Sequence, residues 1–380
     1  MARKVYSACA LCVHECGMEV EVEDGKPIAV RGAREHGVSH GFLCPRGLRS
    51  LELLTTPLRL RRPLIRKGDE WREASWDEAL DYVASRLSEV KERYGPRSIA
   101  VWGGGVAIEN LHDFAGFAQR FCDALGTPNW VDAGSWCFWS MILARLATFG
   151  KYMVPDPERA KCIVLWAHNP SGSDPLTALK VSKSLKAGAK LIVVDCRRTS
   201  WAEKAHLHLQ PRPGSDIYVA LAMINVVVEE DLYDREFVEN WTTGFKELAR
   251  HASKYTPELA AEKADVPADL IREAAKLYAS TRPACIVQGI TALDHSPSGF
   301  QVSRAIAVLQ ALIGCLDVEG GFRRPPGLKL RPLRLEEGRV GPPLGHDRYL
   351  LYRGLGGHRP GFAHALTVLE AARTGSPYPI

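Results

Sequence analysis

Apolar and polar positions alternate one by one over Glu19-Val20-Glu21-Val22-Glu23, the two-residue period of a half-buried strand. Asp24-Gly25 then predicts a tight hairpin turn, after which Ile28-Ala29-Val30 resumes the apolar run. From Trp76 the period lengthens: Ala79, Leu80, Val83, Ala84 and Leu87 follow the spacing of one helix face. Ser98 to Trp102 reads as a buried strand running into Gly103-Gly104-Gly105, with a helix from about Asn110. Cys162 to Trp166 is a second short apolar run, residues 175–187 a helix closed by Gly188, and Lys190 to Asp195 a third strand. Strand, helix and strand at these lengths predict a βαβ unit with a parallel pair. Helices follow at Asp216–Glu230, at 268–280 and from about Phe300 to Ile313. Thr256-Pro257 supplies a further helix start, and Ala284 to Val287 forms another strand leading to Gln288-Gly289.

These elements define an α/β chain. Residues 1–54 read as a small β-rich module, bounded by Pro57, Pro63 and a basic stretch. Beyond Gly320 the chain is rich in Gly, Pro and Arg and reads as long loops. A helix-like stretch at 362–373 then leads to Pro377-Tyr378-Pro379-Ile380, which resembles the entry to a further strand. A length of 380 residues suits two or three domains.

The first module carries Cys9, Cys12, Cys16 and Cys44, a C-x2-C-x3-C run with a fourth cysteine in Cys44-Pro45-Arg46-Gly47. Four thiolates suit a [4Fe–4S] cluster. They also suit zinc, although four-cysteine zinc sites usually pair two short knuckles and Cys44 has no near neighbour. A disulfide pair is the third reading. The N-terminus, Met-Ala-Arg-Lys-Val-Tyr, reaches Cys9 with no room for a leader, and no apolar run reaches membrane-spanning length. A cytoplasmic chain is therefore expected, where ten cysteines favour metal ligation over disulfides. A net charge of +5 is diffuse; it suits an anionic small-molecule ligand and gives no ground for nucleic-acid binding.

Polar and glycine residues recur at successive strand ends, where ligands of parallel sheets bind. They are Gly105 with Glu109-Asn110; His168-Asn169-Pro170-Ser171-Gly172-Ser173; Asp195-Cys196-Arg197; Pro213-Gly214-Ser215-Asp216; and Gln288-Gly289. None is a dinucleotide or Walker fingerprint, but the recurrence predicts a large nucleotide-like ligand spread over several loops. Cys137 lies between a predicted turn and a helix. The residue alone reads more readily as core than as a catalytic group, and Cys122, Cys162, Cys196, Cys285 and Cys315 also read as core.

Together these motifs resemble the molybdopterin-dinucleotide oxidoreductases of the dimethyl-sulfoxide-reductase superfamily. Cys44-Pro45-Arg46-Gly47 stands where that family has C-x-K-G. Gly126-Thr127-Pro128-Asn129 through Cys137 is similar to its G-T-x-N segment ending in a metal-ligating cysteine. Asn169-Pro170, Asp195-x-Arg197 and Pro213-Gly214-Ser215-Asp216 are similar to its pterin loops, and Leu232 to Val238 and Tyr255 to Glu258 are further signatures.

The resemblance implies a [4Fe–4S] domain at 1–54, a first α/β domain of 55–133 plus about 284–380, and a second at 134–283, the two interleaved with mainly parallel sheets. It implies Cys9, Cys12, Cys16 and Cys44 as cluster ligands and Cys137 as a ligand to molybdenum or tungsten in a bis(molybdopterin guanine dinucleotide) centre. Arg46 would lie between cluster and pterin. Gly105, Asn169, Pro170, Gly172, Ser173, Asp195, Arg197, Gly214, Asp216 and Gly289 would bind cofactor. It further implies two-electron redox chemistry of the anaerobic-respiration type on a small molecule, with electrons relayed to an iron–sulfur partner subunit.

Three departures stand out. Phe138 replaces the histidine that formate dehydrogenases carry after the metal ligand. Cys196 stands where proline is usual. A C-terminal domain that closes over the cofactor is not present, so a second polypeptide is expected to supply it. The alternatives are a cluster-bearing electron-transfer or structural subunit without pterin, and a truncated fragment.

Overall fold

The computed structural model of the chain describes residues 2–104, 112–132, 135, 137–325, 333, 335, 338–355 and 362–380. The chain divides into two compact units, 1–133 with 330–353 and 357–380, and 134–329 with 354–356.

The first unit opens with an antiparallel three-stranded sheet of Arg3–Ala8, Gly17–Glu23 and Lys26–Gly32. Asp24 and Gly25 both take positive φ, 47° and 75°, as the expected two-residue hairpin requires. A short hairpin, Leu64–Lys67 with Glu70–Glu73, precedes the long helix Trp76–Tyr94. Ser75 caps that helix, its Oγ accepting from the Glu78 N–H at 3.1 Å, and Asp77 and Glu78 suit the first turn. The predicted apolar face is present, yet none of its nineteen residues is buried: Trp76 is 69% and Leu80 59% exposed.

Ala100–Gly103, Asn129–Asp132 and Phe362–Ala363 form a parallel sheet with Asn129–Asp132 in the centre. The fully buried Asn129 holds this region together. Its Nδ2 donates to Arg97 O (2.8 Å) and the Tyr378 hydroxyl (3.2 Å), and its Oδ1 accepts from Leu344 N (3.0 Å). The Thr127 hydroxyl donates to Ile99 O.

The second unit is built on a parallel sheet whose strands lie in the order Leu207–Leu209, Lys190–Val194, Cys162–Trp166, Ala284–Gln288. The three longer strands sit on two cores. Cys162, Val164, Trp166, Ile192, Val194, Ala284 and Ile286 point into one, beneath helices Asp216–Glu229, Ala268–Ser280 and Gly299–Leu312. Ile163, Leu165, Leu191, Val193, Cys285 and Val287 point into the other, against Val181, Trp201 and Phe322. Burial on both faces explains why these strands read as continuous apolar runs.

The pairing of Ala284–Gln288 with Cys162–Trp166 corrects the expected organisation, because it places residues 284–329 in the second unit and moves the boundary from about 284 to 329/330. Cys196 is also corrected. It lies one residue beyond Asp195, past the strand end, and is exposed, whereas Cys122, Cys162, Cys285 and Cys315 are buried as expected. Among the described residues no helix is long and apolar enough to cross a membrane.

Candidate metal and cofactor site

Local folding gathers the four N-terminal cysteines. The Cys9 N–H donates to Cys16 O at 2.9 Å, closing the loop between the first two strands around Cys12. The return of Cys44 depends on two close approaches. A Cβ on Gly32 would lie 2.1 Å from Gly41 O, and one on Gly17 would lie 2.5 Å from the His36 ring stem. Both positions need glycine for the 33–44 segment to fold back over the sheet. Cys44 then begins the short helix Pro45–Leu48, where a Cβ on Gly47 would stand 3.5 Å from Cys9 Sγ.

None of the four is disulfide-bonded; Cys9, Cys16 and Cys44 are buried and Cys12 half-buried. Burial first, then the negative charges of Cys12, Cys9 and Cys44, push the Cys16 thiol up to about 11. Burial likewise raises Cys9, with the Leu11 N–H and the Arg46 guanidinium pulling it back down. A Cys16 thiol facing the charge of the other three is costly as a thiolate unless a cation is shared between them. That donor set fits an iron–sulfur cluster. Among the described residues no three His, Cys, Asp or Glu side chains stand at single-ion distance.

Cys137 sits half-buried in the turn before helix Trp139–Phe149. Phe138, the N-cap, stacks on Trp139 with ring centroids 6.1 Å apart.

The strand registers bring four loop starts to one edge. Val194 pairs with Trp166 and with Leu209, and Trp166 with Gln288, so Asp195, Ala167, Gln210 and Gly289 leave the sheet side by side. Strand order reverses direction between Cys162–Trp166 and Ala284–Gln288, the switch point at which such sheets bind ligands. Gly289 packs so tightly there that a Cβ would lie 1.9 Å from Ala167 O. Asn169 and Pro170 begin a four-residue helix that contains Gly172 and Ser173, and the Asn169 Oδ1 is buried without a hydrogen-bond partner. Asp195 is buried, accepting from the Arg197 backbone N–H at 2.8 Å and from its Nε at 3.4 Å, while the Arg197 side chain stays exposed.

Asp216 reaches the same edge, its Oδ1 accepting from Trp166 Nε1 at 2.9 Å. Burial raises its carboxyl, the indole and its own backbone N–H lower it, and Asp195 raises it further. Gly214 (φ 83°) shapes the turn into that helix. Beyond Asp195, a cavity of about 590 Å³ is lined by Cys196, His208, Gln210 and Arg212. Gly105 lies outside the described residues.

Two site neighbours escaped the sequence reading. Arg145 is 3% exposed within an apolar helix, and the Asp294 carboxyl oxygens are buried just beyond Gly289. A lone charge inside each apolar stretch was the available signal.

Residues 2–55 match the family described as molybdopterin oxidoreductase Fe4S4 domain, and residues 59–324 match molybdopterin oxidoreductase. The chain is 33% identical over 322 residues to acetylene hydratase of Syntrophotalea acetylenica, covering 83% of this chain and 44% of that protein. It is 32% identical over 322 residues to the F420-dependent formate dehydrogenase subunit alpha of Methanocaldococcus jannaschii, covering 83% and 46%. The solved structure of acetylene hydratase from Pelobacter acetylenicus superposes with a TM-score of 0.87 at 29% identity, over 99% of this chain and 56% of that one. The chain thus spans about half the length of the curated relatives it matches. With both its cysteine module and its parallel-sheet unit accounted for, the chain belongs to the molybdopterin oxidoreductase family of the dimethyl-sulfoxide-reductase superfamily.

Proposed function

We propose that this chain is the cluster- and metal-binding portion of the catalytic subunit of a molybdenum or tungsten pterin oxidoreductase. The supporting observation is the folding of Cys9, Cys12, Cys16 and Cys44 into one N-terminal module, where the charges of the other three help raise the Cys16 thiol, with a fifth cysteine, Cys137, at a helix start. In this reading Cys9, Cys12, Cys16 and Cys44 hold a [4Fe–4S] cluster and Cys137 gives a soft sulfur ligand to the heavier metal. When bound, the centre supplies two-electron redox chemistry at the metal and single-electron relay through the cluster.

The chain's own residues then hold and orient. Arg46, whose charge already favours the Cys9 thiolate, stabilises a centre that becomes more negative on reduction. Asn169, Pro170, Gly172, Ser173, Asp195, Arg197, Gly214, Asp216 and Gly289 take the pterin dinucleotide along the sheet edge, and Gly105, outside the described residues, is a further proposed cofactor-binding residue. There the exposed Arg197 guanidinium, held through its Nε against Asp195, would clamp phosphate, and Gly289 allows the backbones to approach closely. Phe138 offers no proton-transferring group beside Cys137, which argues against formate as substrate and leaves another small-molecule or anionic substrate. A polypeptide corresponding to the relatives' remaining half and an iron–sulfur electron carrier are the proposed partners.

Metal analysis of the native complex, purified without oxygen, tests this. Molybdenum or tungsten should accompany iron in the wild type and fall away in Cys137→Ala while iron stays. A native complex containing iron but neither heavier metal would leave the electron-transfer reading in its place.

A further inference from the structure

We propose that Gln288 recognises the cofactor directly: its carboxamide oxygen, held at the switch point of the sheet, accepts a hydrogen bond from an N–H of the bound pterin. The inference rests on the reading of this sheet edge as the pterin-dinucleotide site.

Gln288 ends the strand Ala284–Gln288 and pairs with Trp166 across the switch point. Ala284 and Ile286 point into the core beneath helix Gly299–Leu312, and the two-residue period of a strand turns the Gln288 side chain to the same face. There its Nε2 donates to the Ser303 Oγ at 2.7 Å. Trp166 uses the same face, its indole donating to Asp216. Two side-chain hydrogen bonds thus stand on neighbouring strand-end residues, where the loops that begin at Ala167 and Gly289 leave the sheet. The backbone at this point is fixed, because the Gly289 N–H donates to Trp166 O at 2.7 Å and Gly289 packs directly on Ala167 O.

The position of Gln288 is settled on one side only. The residue is 6% exposed, yet its Oε1 is shielded from solvent and has no hydrogen-bond partner among the described residues. Buried carbonyl oxygens are ordinarily paired. Gln310, on the same helix as Ser303 and bonded to the same strand as Gln288, shows the ordinary case. Its oxygen accepts from the Tyr278 hydroxyl and Ile286 N, and its amide nitrogen donates to Ala284 O and Cys315 O. Asn169, three residues beyond Trp166, repeats the exception: its Oδ1 is also buried and unpartnered. A carboxamide oxygen without a donor therefore follows each of the two strands that flank the switch point. Acceptors left unmatched call for a ligand that brings N–H groups, and a pterin ring carries them on its amino group and ring nitrogens.

The test sets stability against pterin retention in Gln288→Met, which keeps the reach of the side chain and removes the amide. The Ser303 hydroxyl released by this change can turn to a carbonyl of its own helix. In the full-length chain without cofactor, the melting midpoint should equal or exceed that of the wild type, because a buried acceptor lacking a donor has been removed. In the native complex purified without oxygen, pterin is measured as its fluorescent oxidation product per iron. It should be lost on dialysis roughly tenfold faster than from the wild type, the factor for one buried hydrogen bond. Loss at the wild-type rate overturns the role of Gln288. So does a lowered midpoint or a failure to fold, since either makes the amide a structural group. Failure of the underlying site reading shows separately, as a wild-type native complex that contains no pterin.

Discussion

The Trp166 indole and the Asp216 carboxyl meet at 2.9 Å, joining the last residue of the central strand to the first residue of helix Asp216–Glu229. The bond explains why a fully buried tryptophan ends an otherwise apolar strand: it supplies a donor to a half-buried carboxyl at the carboxyl edge of the sheet. Trp166→Phe keeps the packing and removes the donor, and should lower stability by about 1–3 kcal/mol. Asp216→Asn retains an acceptor and should cost less. Urea unfolding of both variants checks the order; an equal loss would show that the contact is not the cause.

Gly289 tests the switch-point packing. Adding a methyl group puts it 1.9 Å from backbone, not from a side chain that can swing aside. Gly289→Ala should therefore destabilise by roughly 3 kcal/mol or more, at or above the usual overpacking range. Gly188→Ala, where a Cβ meets nothing within 4 Å, costs only the strain of its positive φ of 95°. Thermal melts of the two variants side by side decide the point.

Gln310 supplies a structural prediction away from the site. Fully buried, it accepts from the Tyr278 hydroxyl (2.8 Å) and Ile286 N (3.2 Å) and donates to Ala284 O (2.9 Å) and Cys315 O (3.0 Å). It thereby satisfies the free edge of Ala284–Gln288. Gln310→Leu preserves approximate volume but strands several buried polar groups, each worth about 1–3 kcal/mol. Loss of hydrogen-exchange protection at Ile286 is the specific readout.

What was legible in the sequence was local. The Asp24-Gly25 hairpin, the Thr256-Pro257 helix start and the run Cys162–Trp166 each depend on neighbouring residues, and each appears where the pattern placed it. Strand order is not local. Nothing in Ala284–Gln288 states that its partner is Cys162–Trp166 more than a hundred residues earlier, so the domain boundary was misplaced. The 3.6-residue period marked helix Trp76–Tyr94 but could not say what covers its apolar face. Cys196 was read as core from the strand before it, although the strand had already ended.

Asp294 also sets a pH dependence. Burial raises its carboxyl from the ordinary range to about 7, against the pull of the Met141 N–H, Arg145 and the Ser303 hydroxyl. A group raised in the folded state contributes stability that is full below its unfolded value, about pH 4, and is lost as pH climbs to its folded value. The span is at most about 4 kcal/mol. Unfolding midpoints should fall across that window in the wild type, and the slope should flatten in Asp294→Asn.

The most direct measurement is the iron and acid-labile sulfide content of the chain after reconstitution without oxygen, with electron paramagnetic resonance of the reduced sample. The gathered quartet of Cys9, Cys12, Cys16 and Cys44 predicts about four irons and four sulfides per chain. It also predicts a reduced-cluster signal that Cys16→Ala abolishes. Stoichiometric zinc in place of iron, or an undiminished cluster in Cys16→Ala, would contradict the assignment on which the proposed function stands.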